Sequence, residues 1–404
     1  MKIVILGGGI SGLSAAWYAR KKYPEAKVTL LEKTHRLGGA IQTAKEGGFL
    51  FEKGPRTFQL GKCPCLLSLI QEVGLENELI FSDPSASIRY LWQRGRLRSM
   101  NSFLPKLFFS LLRESFVPQS TLNDESIYDF ASRRFNKKIA EDFFDPMTLG
   151  IYAGDIRKLS MKSCFPKFVE WEKEKGSCFR GVVSSLFQKS NSKSGLFTLR
   201  GGMETLIETL AQKADIRIEL QCEVEAIEKT GVFAGGRAFE ADRILSALPG
   251  SVISSIVDVS FGVKEASLAV ANFCYSDHVL PKKGFGYLVP SKEKEDLLGM
   301  IWDSSIFPEQ NGPKKTCITA MMREGSIDLL KQTLARHLGL RCEPTITSCY
   351  VAQGAIPQFE VGYSQRLSHF KQEIQKKIPN LSLLGNYLQS PSVESCISLS
   401  KHVV

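Results

Sequence analysis

Ile3-Val4-Ile5-Leu6-Gly7-Gly8-Gly9-Ile10-Ser11-Gly12 is the stretch that decides the fold of this chain. Four consecutive apolar residues read as a short parallel strand buried on both faces. The glycines at 7, 9 and 12 follow at once with GxGxxG spacing. Leu13 to Lys22 then reads as a helix, with Ala15, Ala16 and Ala19 small enough for close packing on a sheet. A second strand, Val28-Thr29-Leu30-Leu31, ends in Glu32, twenty residues beyond Gly12. GxGxxG alone is a weak signal. Strand, glycine turn, helix, strand and acid in this order is a specific one, and it predicts a dinucleotide site.

Each position has a physical task. Gly7 permits the tight turn, Gly9 lets the backbone approach a pyrophosphate, and Gly12 lets the helix lie against the strand. Gly8, Ile10 and Ser11 complete the turn, where free N–H groups and the helix dipole favour an anion. Glu32 is suited to accept hydrogen bonds from ribose hydroxyls.

Working outward, Arg36-Leu37-Gly38-Gly39 adds a second glycine pair, and Phe49-Leu50-Phe51-Glu52-Lys53-Gly54-Pro55-Arg56 returns through a strand to a Gly-Pro turn. A nicotinamide dehydrogenase would continue into another helix and strand. This arrangement resembles the flavin-containing amine oxidase superfamily, in which the R-x-G-G segment lies along FAD and the Gly-Pro turn lies near the isoalloxazine. The resemblance implies a cofactor shell of Lys33, Arg36, Gly38, Gly39, Ala40, Gly54, Pro55, Arg56 and Thr57. It adds Val224 beside the adenine, and Gly385, Pro391, Ser392 and Val393 near the end of the chain.

Gly150-Ile151-Tyr152-Ala153-Gly154-Asp155, continuing to Phe165-Pro166, narrows the likeness to the protoporphyrinogen oxidase family. Leu199-Arg200-Gly201-Gly202-Met203, Ala355-Ile356-Pro357-Gln358-Phe359 and Gly385-Asn386-Tyr387 resemble further segments of that family in the same order. The resemblance implies a six-electron oxidation of protoporphyrinogen IX to protoporphyrin IX, with hydride leaving a meso carbon for flavin N5. It implies one FAD per chain, held non-covalently, with oxygen or a quinone as acceptor. Arg89 matches the position that pairs with a substrate propionate, and Tyr152, Ala153 and Gly154 are expected to line the slot. Coproporphyrinogen III oxidation is the nearest alternative; an amine oxidase, a carotenoid desaturase and a non-catalytic flavin-binding protein are the others.

The rest of the sequence offers little acid–base or metal machinery. Ten cysteines stand at 63, 65, 164, 178, 222, 274, 317, 342, 349 and 396 without CxxC spacing, and the five histidines are scattered. That pattern reads as reduced thiols in a cytoplasmic protein with no metal site. The formal charge of +10 is spread along the chain rather than gathered in a nucleic-acid stripe, so it suits an anionic substrate or an acidic membrane surface. Met1-Lys2 leads straight into the first strand, and no run of ~18 apolar residues predicts a membrane-spanning helix.

The expected fold is an α/β FAD-binding domain, Rossmann-like and of glutathione-reductase type, with an α+β substrate domain and a helical membrane-associated lobe. The FAD domain is assigned residues 1–80, 196–250 and 379–404, and the substrate domain 81–91 and 251–378. Residues 92–195 are read as the helical lobe. Within it, Phe103 to Leu112 is the most apolar short run, bracketed by Arg94, Arg96, Arg98, Lys106 and Arg113. This predicts peripheral contact with the cytoplasmic face of a membrane.

Overall fold

Strand Lys2–Leu6 is the centre of a five-stranded parallel sheet in this computed structural model, which describes residues 1–187, 195–323 and 326–404. It pairs on one side with Lys27–Leu31 and on the other with Arg243–Ser246. Arg217–Glu219 and Leu381–Leu383 complete the sheet at its two edges. Three separated stretches of chain thus build one sheet. Helix Ile10–Lys22 covers one face, with Leu13, Ala15, Ala16 and Ala19 buried. The final helix, Val393–Val403, packs on that helix, and the Ser400 hydroxyl donates to Ser11 O at 2.8 Å.

The second large element is a seven-stranded, mainly antiparallel sheet. Its order is Ile346–Gln358, Lys264–Tyr275, Thr316–Met322, Leu297–Ile301, Gly286–Leu288, Arg89–Gln93 and Arg96–Ser99. Only the Gly286–Leu288 and Arg89–Gln93 pair runs parallel. One face carries Phe273, Tyr287, Trp302 and Ile318 against Leu330 and Leu334 of helix Ile327–Leu338. The other face looks toward the parallel-sheet unit.

The helical reading of 92–195 needs a correction at its start. Arg96 and Arg98 lie on an edge strand of the seven-stranded sheet, with Arg94 in the turn before it, so helices begin only beyond Ser99. The apolar run does form a helix, Leu104–Glu114. The side chains of 103–108, which include most of that run, lie outside the described residues. The far end of the helix is anchored by Glu114, fully buried and paired with Arg134. Its carboxylate also accepts from Ser177 Oγ at 2.7 Å and from Cys178 N and Phe179 N at 2.9 and 3.1 Å. Removing either charge of such a buried pair would leave the other uncompensated. Among the described residues, no helix is long and apolar enough to cross a membrane.

A second buried carboxylate joins the units around the Gly-Pro turn. Glu52 ends strand Phe49–Glu52 and accepts from Met203 N at 2.7 Å and from Thr43 Oγ1 at 2.9 Å. Burial outweighs these bonds and pushes its pKa up to about 7. A folded-state pKa above the unfolded value means that the native state binds the extra proton. Stability therefore falls as pH rises through the window from about 4.3 to about 7. Glu52→Gln should flatten this slope, so that wild type loses melting temperature relative to the variant between pH 5 and 8. Parallel pH profiles of the two would mean that Glu52 is already ionised throughout.

Candidate active site

Gly7 adopts φ +95° and turns the chain out of the first strand in a single residue. Close packing explains Gly12, where a Cβ would lie 1.9 Å from Gly7 O. Gly9 is glycine for another reason. A Cβ there would meet nothing nearer than Gly39 Cα at 3.9 Å, so the protein leaves this space clear. Helix Ile10–Lys22 opens beside it with no side-chain cap and no acidic residue in its first turn. Free N–H groups and the positive end of the dipole there fit a pyrophosphate.

Glu32 is held in place before any ligand arrives. Its Oε2 accepts from Gly8 N at 2.7 Å, and its Oε1 accepts from Thr34 N and Thr34 Oγ1, both at 2.9 Å. Cys222 N donates to Glu32 O at 2.9 Å, which brings strand Val224–Glu228 alongside. Gly38 N donates to Gly8 O at 2.8 Å, pinning the second glycine loop to the first. Arg36 shapes that second loop by donating to Leu37 O at 2.6 Å and Gly39 O at 2.7 Å. Lys33 and Ala40 are exposed on the rim of this cradle.

The Gly54-Pro55-Arg56 turn is pressed on the same loop, because a Cβ on Gly54 would lie 1.8 Å from Ala40 O. Arg56 is buried; it pairs with Asp303 at 3.3 Å and donates to Gly54 O and Thr319 Oγ1. Thr57 is half-buried behind it. At the other side, Gly385 takes φ +121° just after Leu384 N has donated to Ser246 O at 2.7 Å. Ser392, next to the half-buried Pro391, caps helix Val393–Val403, and Val393 is buried. Cys396 is buried on that helix, where burial raises the thiol pKa. A thiol kept protonated is a poor nucleophile for a covalent flavin link.

Arg89 sits at one end of a cross-strand row on the seven-stranded sheet. Register pairs it with Gly286, Gly286 with Ile301, Ile301 with Thr319, and Thr319 with Asn272. Residues directly opposite one another share a sheet face, so this row spans four strand spacings, about 19 Å, on one face. At the far end Asn272 Nδ2 donates to Thr319 Oγ1 at 2.8 Å and to Glu52 O at 3.2 Å. The row therefore runs from the Gly-Pro turn to Arg89, with apolar Ile301 and bare Gly286 between. Arg89 stacks on Phe285, 4.9 Å from the ring centroid, and no carboxylate among the described residues pairs with it. It is exposed by area yet crowded by protein, and that desolvation lowers its pKa.

Helix Asp145–Tyr152 packs on the same face, where a Cβ on Gly150 would lie 2.8 Å from Leu288 Cδ2. Ala153 ends the helix in the left-handed region at φ +49°, and Gly154 is buried against Leu159 and Gln358. Tyr152 is different from the slot-lining phenol expected. Its side chain is buried between Phe165 and Phe359, and its hydroxyl donates to Cys164 O at 2.9 Å. Its backbone carbonyl is occupied as well, accepting from Gln358 Nε2 at 2.8 Å. Ile301, Thr319, Asn272 and Asp303 were not singled out from sequence; strand register brings the first three together, and the short helix Asp303–Ile306 adds Asp303.

The sequence matches the family model for flavin containing amine oxidoreductase over residues 10–338. The human protein named protoporphyrinogen oxidase is 31% identical, the match covering 98% of this chain and 96% of that protein. The Bacillus subtilis (strain 168) protein named coproporphyrinogen III oxidase is 26% identical, covering 100% of this chain and 97% of the relative. A crystal structure from Exiguobacterium sp. 255-15 has a TM-score of 0.85 at 23% identity, covering 99% of this chain and 97% of that one, and speaks for the fold alone. With its glycine cradle, Gly-Pro turn and full-length relatives, this chain belongs to the flavin-containing amine oxidoreductase family.

Proposed function

We propose that this chain is an FAD-dependent oxidase that converts protoporphyrinogen IX to protoporphyrin IX in three two-electron steps, with oxygen or a quinone as acceptor. The observation that carries the reading is the row from Asn272 to Arg89, with a polar network at the Gly-Pro turn, an apolar middle and one unpaired guanidinium at the far end. The names of the full-length relatives support the substrate class. The reading assigns residues 1–80, 196–250 and 379–404 to cofactor binding, with 81–91 and 251–378 bearing the substrate. FAD, when bound, supplies the electron-pair acceptor.

The chain's own residues then have limited tasks. N–H groups at the start of helix Ile10–Lys22 hold the pyrophosphate, and Glu32 receives ribose hydroxyls. Arg36 keeps the second glycine loop in shape. Ile301 supplies apolar floor and water exclusion, and Arg89 orients the macrocycle through a propionate. Arg56 is committed to Asp303 and Thr319, so it supports the turn rather than reaching substrate.

A second reading is coproporphyrinogen III oxidation. Register pairs Arg98 with Leu91, which puts Arg98 on the same sheet face as Arg89. A second cation there suits a substrate with four propionates. Anaerobic mixing of the yellow holoprotein with each porphyrinogen tests both readings by the rate of flavin bleaching. Faster bleaching by protoporphyrinogen supports the first, faster bleaching by coproporphyrinogen the second, and no bleaching by either overturns both.

We also propose peripheral contact of the helices that follow Ser99 with the cytoplasmic face of a membrane. Leu112, Phe116 and Leu122 expose 40%, 89% and 61% of their surface there, apolar area that a bilayer would cover. Leu112→Glu with Phe116→Glu should lower partition onto acidic vesicles several-fold at unchanged FAD content. Equal partition of variant and wild type would remove the membrane role.

Two substitutions test the site itself. Gly9→Val adds a side chain to the clear space above the glycine turn, where its Cβ would meet nothing nearer than Gly39 Cα at 3.9 Å. It should give folded but colourless protein, seen by circular dichroism and visible absorbance. Full flavin content would show that the pyrophosphate lies elsewhere. Arg89→Ala should cost about 1.5–3 kcal/mol of charge-assisted binding, or ten- to hundred-fold in kcat/KM by the same arithmetic. Arg89→Lys should recover part of it, since the ammonium keeps the charge without the planar fork. The loss should shrink for porphyrinogen esters; an equal loss for acid and ester would make Arg89 structural.

A further inference from the structure

A cleft of about 460 Å³ opens on the far side of the loop that carries Pro391 and Ser392. It lies between helix Tyr363–Lys377, the segment 163–166 and the loop 388–395. None of its lining residues belongs to the cofactor cradle or to the Arg89 row. The volume falls within the range of small-molecule sites. Its floor is apolar, made by Phe359, Tyr363, Leu367 and Leu388. Its lining is also hydroxyl-rich, with Ser163, Ser364, Ser368, Ser390 and Ser395, of which Ser163 and Ser364 lie 3.2 Å apart, Oγ to Oγ.

One charge enters this cleft. Lys371 lines it, no acidic residue does, and no carboxylate among the described residues pairs with Lys371. Elsewhere on the same helix the cations do have partners: Lys376 pairs with Glu373, and Lys377 donates to Val257 O. Lys371 is exposed by area yet has protein on its cleft side, and that partial desolvation lowers its pKa below the ordinary lysine value. An anion in the cleft would supply the charge partner that no carboxylate among the described residues provides.

We propose that this cleft binds a small anionic amphiphile, a carboxylate or phosphate on an apolar body, with the anion on Lys371 and the body on the Phe359–Leu388 floor. The site is separate from porphyrinogen oxidation and stands whether or not that reading does.

Calorimetric titration of the FAD-loaded chain with octanoate, octyl phosphate and octanol tests it. At least one anion should bind one-to-one, about tenfold or more tighter than octanol, and which anion binds better identifies its chemistry. Lys371→Gln should bring the anions down to the octanol level, and Ser368→Trp should block all three by filling the cleft. The proposal is overturned if octanol binds as well as the anions. Anion binding that survives Lys371→Gln overturns it too, as does anion binding lost in Arg89→Ala, which would move the ligand to the substrate face.

Discussion

The contact between two glycine loops is the constraint from which the cofactor side of the molecule is built. Gly9 and Gly38 pair as a short parallel bridge, and Gly38 N donates to Gly8 O. Side chains would not permit it, since a Cβ on Gly38 would lie 2.6 Å from Ile41 O and one on Gly8 2.5 Å from Leu37 Cδ2. The same loop then brings Ala40 O to within 1.8 Å of where a Gly54 Cβ would stand. A succession of close backbone approaches thus leads from the first strand to the Gly-Pro turn. Each glycine costs about 0.5–1 kcal/mol of chain entropy relative to alanine. The return is a surface of backbone groups that a dinucleotide can approach.

Thr319 plays the corresponding part between cradle and substrate sheet. Its hydroxyl accepts from Arg56 and from Asn272, and donates to Asp303 at 2.7 Å. Every hydrogen-bonding capacity of that oxygen is used, and it is fully buried. Two strands, the short helix Asp303–Ile306 and the Gly-Pro turn therefore meet at one atom. Buried networks of this kind are costly when half-satisfied and rigid when complete; Asn272 Oδ1 has no partner, but the bonds at Thr319 Oγ1 tie the turn to this end of the row.

The front end of the chain was legible because its signals are local. A run of apolar residues, glycines at fixed spacing and an acid twenty residues on lie within 32 positions of sequence. Most of the substrate sheet was not legible in this way. Lys264–Tyr275 is buried on both faces through its second half, so no alternation marks it as a strand. Ile346–Gln358 is half-exposed on both faces and contains Gly354 at φ +54°, which again erases the period of two. The row itself joins residues 89, 286, 301, 319 and 272, and no spacing along the chain connects them. Tyr152 was named for its motif, yet burial decides what its phenol can do, and burial depends on Phe165 and Phe359.

Charge along the row bears on how an anionic macrocycle is oriented. At the Gly-Pro turn Arg56 is matched by Asp303, and Glu52 titrates near neutrality. Arg89 is unmatched at the other end. Across about 19 Å, a unit charge acts with roughly 0.2 kcal/mol at a dielectric of 80 and about 0.9 kcal/mol at 20. Neither value rivals the ~1.5–3 kcal/mol of a direct charge-assisted hydrogen bond. The long-range field of Arg89 therefore hardly distinguishes one orientation of the substrate from its reverse. Contact does: a propionate gains most of its energy only within reach of the guanidinium. On the proposed reading, orientation is then set by the length of the apolar floor between the turn and Arg89, and Ile301 and Gly286 share in recognition with the cation.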